Sequence, residues 1–198
     1  NEQVLTLAYP KHHICSGLAF VYAQRISPTF IHHYAFGRLV FGVYPKGVSS
    51  RLTELIQLFK SVGVPTSTSE FIKRDQWLKL MWNAAFNPLS VILKADTVSL
   101  CESQRERLTI IMEEIVTISR VEGVDIDSDV IPNMIDQTAS ANAYKTSMLI
   151  DYEKGHFLEV ESILGRVLEK ANIHNIAVKE LPLLVEELER SVGKGRFA

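Results

Sequence analysis

The sequence predicts an α/β segment over residues 1–68 joined to an all-α helical domain over residues 69–198, and three observations predict it. The run Ile14 to Ala23, ICSGLAFVYA, is apolar almost without a break, as in a strand covered on both faces. Beyond Ser69 the apolar residues recur at helical spacing instead. Within that half, Trp77 to Ser90 (WLKLMWNAAFNPLS) is apolar nearly all round, the mark of a buried helix around which a helical domain can pack.

The elements follow in order. Val4 to Ala8 reads as a short helical piece stopped by Pro10, and Ile14 to Ala23 as a strand broken by Ser27-Pro28. Thr29 to Ala35 and Arg38 to Tyr44 flank Phe36-Gly37, the pattern of a β-hairpin with a glycine turn. Ser49 or Ser50 then caps a helix with a stripe of Leu52, Leu55, Ile56, Phe59 and Val62, which Gly63 ends. Val64 to Thr68 is a last short strand. In the second half, Ser99 or Ser103 caps a helix whose Leu108, Ile111, Met112 and Ile115 face inward and which Gly123 ends. Ser128 caps the next, with Pro132 tolerated in its early turns and Ile131, Met134, Ile135 and Thr138 on one face. Two more helices run from about Leu158 to Asn172 and from Val178 to Ser191, and Gly193-Lys-Gly-Arg reads as a frayed tail.

With 198 residues, 46% of them hydrophobic, the chain can bury a sizeable core in one or two domains. No apolar run approaches the roughly eighteen residues of a membrane span and no signal peptide opens the chain, which predicts a soluble protein with no membrane partner. A net charge of −2 with interspersed signs leaves no basic footprint, so no nucleic-acid partner is expected. Cys15 and Cys101 lack C-x-x-C spacing and fit a reducing cytoplasm better than a disulfide framework. His12-His13 and His32-His33 are adjacent pairs whose members point to opposite faces of a strand, and His156 and His174 are isolated. No metal site is expected.

The Trp77 helix carries the chemistry. Leu78, Met81, Trp82, Ala85, Phe86 and Leu89 form its core face, Trp77, Leu80 and Ala84 make the other side apolar, and one polar stripe remains: Lys79, Asn83 and Asn87. A wet edge is one reading of that stripe. Solvent faces, however, usually carry good helix formers, and Asn costs on the order of half a kcal/mol per site relative to Ala. Pro88 lacks the N–H that the Ala84 carbonyl needs, which predicts a kink beside Asn87. These features point to a ligand-facing stripe.

WLKLMWNAAFNPLS resembles the signature W-x-K-L-x-x-N-x-x-x-N-P-L-[ST] of the ketopantoate reductases (2-dehydropantoate 2-reductases). SMLIDYEKGHFLEVESILGRVLEKA resembles their second signature, S-M-x-x-D-x-x-x-x-x-x-T-E-I-D-x-[IL]-x-G, in the right order, and GLAFVYAQRISPTFIHHYAFGRLVFG is similar to the segment closing their nucleotide-binding domain. The resemblance implies a Rossmann-like remnant followed by a helical domain like the C-terminal domain of 6-phosphogluconate dehydrogenase. It implies NADPH-dependent reduction of ketopantoate to pantoate, in pantothenate and coenzyme A biosynthesis. A small 2-oxo acid is then the partner, and a homodimer is compatible with the family. The resemblance aligns Asn1 with a point well inside the family's sequence, so the nucleotide-binding portion is expected upstream. Indeed none of the ten glycines has the G-x-G-x-x-G spacing that holds a pyrophosphate at a helix N-terminus, and the chain alone is expected to be inactive.

Carried over residue by residue, Lys79 becomes the proton donor, with a stem packed on Trp82 and a head in water as its structural alternative. Asn83 and Asn87 become substrate ligands, or else helix-to-helix hydrogen bonds. Ser147 matches the substrate-binding serine, or is a solvated hydroxyl. Glu159, at the start of a helix where the macrodipole favours a carboxylate, matches a cofactor contact, and Ala23 a backbone contact to the cofactor. Two departures bear on substrate identity. Thr97 stands where the family often has a substrate-binding Asn, and Phe157-Leu158 replaces a more polar pair. A reductase of another small 2-oxo acid, or a helical interaction or dimerisation module without catalysis, remain the alternatives.

Overall fold

The computed structural model describes residues 2–12 and 14–198, the side chains of Gln3, Gln24 and Ala35 excepted. His13, half of the first histidine pair, lies outside the described residues. By its packing the chain divides into two compact units, Asn1–Gln76 and Trp77–Ala198.

The first unit is a mixed sheet with two helices. Helix α1 (Glu2–Ala8) stops before Pro10 as expected. Strand β1 (Cys15–Ser27) pairs antiparallel with β2 (Phe30–Val43), and β3 (Thr66–Thr68) adds in parallel with Leu39 opposite Thr66. Two expectations are overturned here. β1 is an edge strand, and it alternates rather than being covered on both faces: Ser16 is buried while Cys15, Gly17, Ala19 and Val21 are exposed. Phe36-Gly37 is not the hairpin turn either. The chain reverses at Pro28-Thr29, between paired Ser27 and Phe30, and Phe36-Gly37 forms a bulge inside β2, with φ of 67° and 101°. Glycine serves a tight turn and a bulge through the same positive φ, so the residue pair does not say which it builds. At Gly17 the constraint is space, since a Cβ there would run into the ring of Phe41 on the facing strand.

Helix α2 (Ser50–Ser61) is capped by Ser49, whose hydroxyl accepts the Leu52 N–H at 3.2 Å. Leu52 and Ile56 are buried, but Leu55 and Val62 are exposed, so the stripe is narrower than periodicity alone predicts. Glu2 ties α1 to the sheet by accepting hydrogen bonds from Ser16 and Gln76, each at 2.8 Å. Burial pushes its carboxyl up, yet those bonds outweigh it and hold the group below its ordinary range.

Helix α3 (Ile72–Leu93) contains the division between the units, and its residues from Trp77 onward belong to the second. It runs through Pro88 to Leu93. The second unit continues with α4 (Thr97–Ser103), α5 (Arg105–Val121), α6 (Val130–Ala139), α7 (Ser147–Glu153), a π-helical turn (Glu161–Gly165), α8 (Arg166–Ile173) and α9 (Glu180–Val192), with α4, α6, α8 and α9 packed against α5. The predicted inward residues Leu108, Ile111, Met112 and Ile115 are fully buried, as are Met81, Phe86 and Leu89 of α3. No helix among the described residues is long and apolar enough to cross a membrane.

The ends of these helices differ from expectation. Neither Ser99 nor Ser103 caps α5, which starts after Gln104 with no side-chain bond; they lie in the short preceding helix α4, capped by Asp96, whose carboxylate takes the N–H groups of Val98 and Ser99 at 3.0 and 2.9 Å. Ser128 does not cap α6, which starts after Asp129 with no side-chain bond. The tail is not frayed. Lys194–Arg196 makes a 3-10 turn, Phe197 bridges Leu158 in parallel, and the Arg196 guanidinium donates to the His156 carbonyl at 2.7 Å.

Candidate functional site

Lys79, Asn83 and Asn87 sit along one line of α3 and sink progressively into the second unit. Lys79 and Asn83 are half-buried, whereas Asn87 is 2% exposed. The neighbouring side chains explain the gradient. Trp82 donates its indole N–H to the Thr138 hydroxyl at 3.1 Å and stacks on Phe86 with ring centroids 4.7 Å apart, anchoring this turn against α6. Desolvation lowers the Lys79 ammonium below its ordinary pKa of 10.5. That shift makes it a better proton donor near neutral pH. Asn87 buries a carbonyl oxygen, Oδ1, that has no hydrogen-bond partner among the described residues, which is a costly state for a buried amide.

One turn further along α3, the Ser90 hydroxyl meets the Thr146 hydroxyl at 2.6 Å. Thr146 caps α7 by accepting the Leu149 N–H at 3.1 Å, and Ser147, exposed, is the first residue of that helix. The Asn87 end of the stripe and the candidate serine are therefore joined through buried hydroxyls. Neither Ser90 nor Thr146 is singled out by periodicity or composition; the sole sequence signal was that each lies in or next to a signature.

Thr97 has no exposed surface, and its hydroxyl accepts the Tyr144 N–H at 3.4 Å while its own N–H donates to the Tyr144 carbonyl at 3.1 Å. The pair fastens α4 to the segment before α7. Burial raises the pKa of the Tyr144 hydroxyl, with Cys101 adding to it, and the Tyr144 ring stacks toward Trp82 at 6.2 Å. Glu159 is exposed, just before the π-helical turn, and the backbone on both sides of it is held by the tail: Leu158 N–H donates to the Arg196 carbonyl at 2.8 Å and Glu161 N–H to the Ala198 carbonyl at 3.0 Å. Ala23 belongs to the first unit, on β1 opposite His33, with its side chain exposed. Of the departing pair, Leu158 is buried and Phe157 exposed.

Among the described residues no group of three or more His, Cys, Asp or Glu side chains stands close enough to hold a metal ion. His156 and His174 are not isolated. They meet Asp151 at 3.1 Å and Glu122 at 2.9 Å. Cys15 and Cys101 are free thiols, the second buried and pushed up in pKa by that burial.

Comparison with known proteins matches residues 71–190 to the family model described as ketopantoate reductase PanE/ApbA, C-terminal. A 2-dehydropantoate 2-reductase of Nostoc sp. is 30% identical over 98% of this chain and 63% of its own length. The crystal structure of 2-dehydropantoate 2-reductase from Methylococcus capsulatus superposes with a TM-score of 0.87 at 35% identity, covering 98% of this chain and 64% of that one. D-mandelate dehydrogenase in complex with NADH shares the fold at a TM-score of 0.86 and 18% identity, over 96% of this chain and 65% of that one. The chain thus spans somewhat less than two thirds of the length of these relatives. The sheet followed by helices, the polar stripe on α3 and a matched model covering more than half of the residues lead to one conclusion: the chain belongs to the ketopantoate reductase family of oxidoreductases.

Proposed function

We propose that this chain is the substrate-holding part of a cytoplasmic, NADPH-dependent 2-dehydropantoate 2-reductase, with Lys79 as the proton donor. The observation that carries the reading is the half-buried Lys79 ammonium, lowered in pKa by desolvation, one turn from Asn83 on the mostly apolar part of α3 over residues 77–93. Reduction of a ketone requires a hydride at the carbonyl carbon and a proton at the oxygen, onto which the π pair moves. Lys79 Nζ–H supplies that proton and is left as a neutral amine, which water reprotonates. Before transfer, its positive charge draws the carbonyl oxygen and stabilises the developing alkoxide. Asn83 offers hydrogen bonds to the acid's polar groups and Ser147 a hydroxyl, while Asn87, 2% exposed, closes the inner end of the stripe. Thr97 is better read as a support than as a ligand, because a side chain with no exposed surface and an engaged hydroxyl cannot reach a substrate.

The nicotinamide, when bound, supplies the hydride. Of this chain's residues, Glu159 and Ala23 are the proposed contacts to the cofactor, through an exposed carboxylate and a backbone position. The sequence carries no glycine-rich turn for the pyrophosphate, so that group's cradle lies outside these residues.

Kinetics of two variants of the full-length reductase carrying this chain test the reading. Lys79→Ala lowers kcat by about 10²–10⁴, the usual worth of a positioned acid. Asn83→Ala mainly raises KM for the 2-oxo acid. Equal and small effects from both would return the stripe to a packing role.

A further inference from the structure

We propose that Ser90 and Thr146 form a directional hydrogen-bond relay whose task is to position Ser147 for substrate binding. The proposal rests on the reading of the stripe and Ser147 as a substrate site, and it adds two residues that touch no substrate themselves.

The direction follows from counting protons. Ser90 Oγ donates to the Asn87 main-chain carbonyl at 2.7 Å. A hydroxyl has one proton, so in the 2.6 Å contact between the two side chains Thr146 must be the donor and Ser90 the acceptor. Thr146 Oγ1 in turn accepts the Leu149 N–H at 3.1 Å. The chain therefore runs one way, from the Leu149 amide through Thr146 and Ser90 to the Asn87 carbonyl. Both hydroxyls are buried, Ser90 at 0% and Thr146 at 1% exposure, so no water competes for either bond.

The two ends of this relay are the parts of the candidate site. One end is the backbone of Asn87, whose side chain closes the α3 stripe and holds the partnerless Oδ1. At the other end Ser147 stands between buried Thr146 and buried Met148 while being exposed itself. Its hydroxyl can move only as far as its neighbours allow. Fixing Thr146 against α3 fixes where Ser147 is presented relative to Asn87, and tight fixation of a binding group is worth more to affinity than the bond it makes alone.

A purely structural hydroxyl pair behaves differently: replacing both partners costs stability, through the lost α7 cap, and leaves KM at its parental value. The double variant Ser90→Ala/Thr146→Val separates the two roles. In the full-length reductase we expect it to stay folded yet to show KM for the 2-oxo acid raised by about tenfold or more with kcat within about threefold, since Lys79 is untouched. Thr146→Ser keeps the hydroxyl and restores the parental KM. A double variant with parental KM, or a Thr146→Ser variant as impaired as Thr146→Val, overturns the relay. The reductase reading is judged separately by Lys79→Ala. Should that reading fail, amide hydrogen exchange on the 198-residue chain still decides the relay. Leu149 protection falls about tenfold or more in Ser90→Ala, which leaves the Thr146 cap oxygen in place, at unchanged global stability, and unchanged protection in that variant overturns it.

Discussion

Lys79 sits in surroundings that serve catalysis and stability in opposite directions. Taking its ammonium half out of water weakens the hold on the proton, which suits a donor, and the same loss of hydration opposes folding. The sign of the pH dependence follows. Because the folded pKa lies below the ordinary 10.5, the unfolded chain binds more protons between the two values, and stability rises with pH through that window. Relative to Lys79→Met, which keeps the stem and removes the charge, the parent should therefore gain stability as pH rises toward 10.5. Urea midpoints of the two measured across that range check it, and a parent that loses stability relative to the variant on the way up would refute the desolvation argument. With Lys79 as the proposed donor, kcat/KM of a reductase carrying this chain should fall as pH rises through the lowered pKa. Lys79, Asn83 and Asn87 were legible from sequence because their spacing is a property of one helix. Ser90 and Thr146 were not, because a bond between residues this far apart in the chain exists only once α3 and α7 have packed.

Helix ends show the same limit at the scale of the element. The interiors of α5 and α6 follow the apolar period closely, with Leu108, Ile111, Ile115, Ile131 and Ile135 all buried. Their starts were misplaced, since the serines that composition offers as caps, Ser99, Ser103 and Ser128, cap neither helix, and α5 and α6 begin after Gln104 and Asp129 with no side-chain bond. At α9 the cap is not local at all. The Glu114 carboxylate of α5 accepts the N–H groups of Lys179, Glu180 and Leu181 at 2.6, 2.8 and 2.9 Å, meeting the orphan donors and the positive end of the helix together. No window of sequence around Glu180 contains that residue. Glu114→Ala strips all three bonds, so a loss of about 2 kcal/mol is expected, at the upper end for a cap. Glu114→Gln, which keeps an acceptor oxygen, should lose about half of that. Denaturant titration of the two variants measures it, and parental stability in Glu114→Ala would show that water satisfies those amides equally well. The tail belongs to the same class of surprise: Gly193 to Arg196 looks unstructured by composition, and its order comes from the backbone of Leu158 to Glu161.

For the molecule as a whole, composition indicated enough apolar surface for a core but not how unevenly it is divided. Among the described residues of the first unit the buried apolar side chains are Val40, Leu52, Ile56 and Ile72, while the second unit buries a continuous set from Met81 through Ile118 to Leu188. The reading of Ile14 to Ala23 as a strand covered on both faces failed for this reason. An apolar run reports what a strand can bury, and Val21, Phe30 and Ile31 of the hairpin are each more than half exposed. Each fully buried large aliphatic side chain contributes about 1.5–3 kcal/mol, so the first unit has far less to set against the entropy of ordering its backbone. The two units should then open at different free energies. In native-state hydrogen exchange of the chain, amides of β1 and of β2 up to the bulge at Phe36-Gly37 should exchange through local opening. Those of α5, and of α3 between Met81 and Val91, should exchange only on global unfolding, several kcal/mol higher. The slanted Leu39 to Phe41 pairing with β3 should fall between these limits, because Val40 and α2 cover it. Equal protection across both units would mean that the chain unfolds as one cooperative body, and that side-chain burial within each unit does not decide its stability.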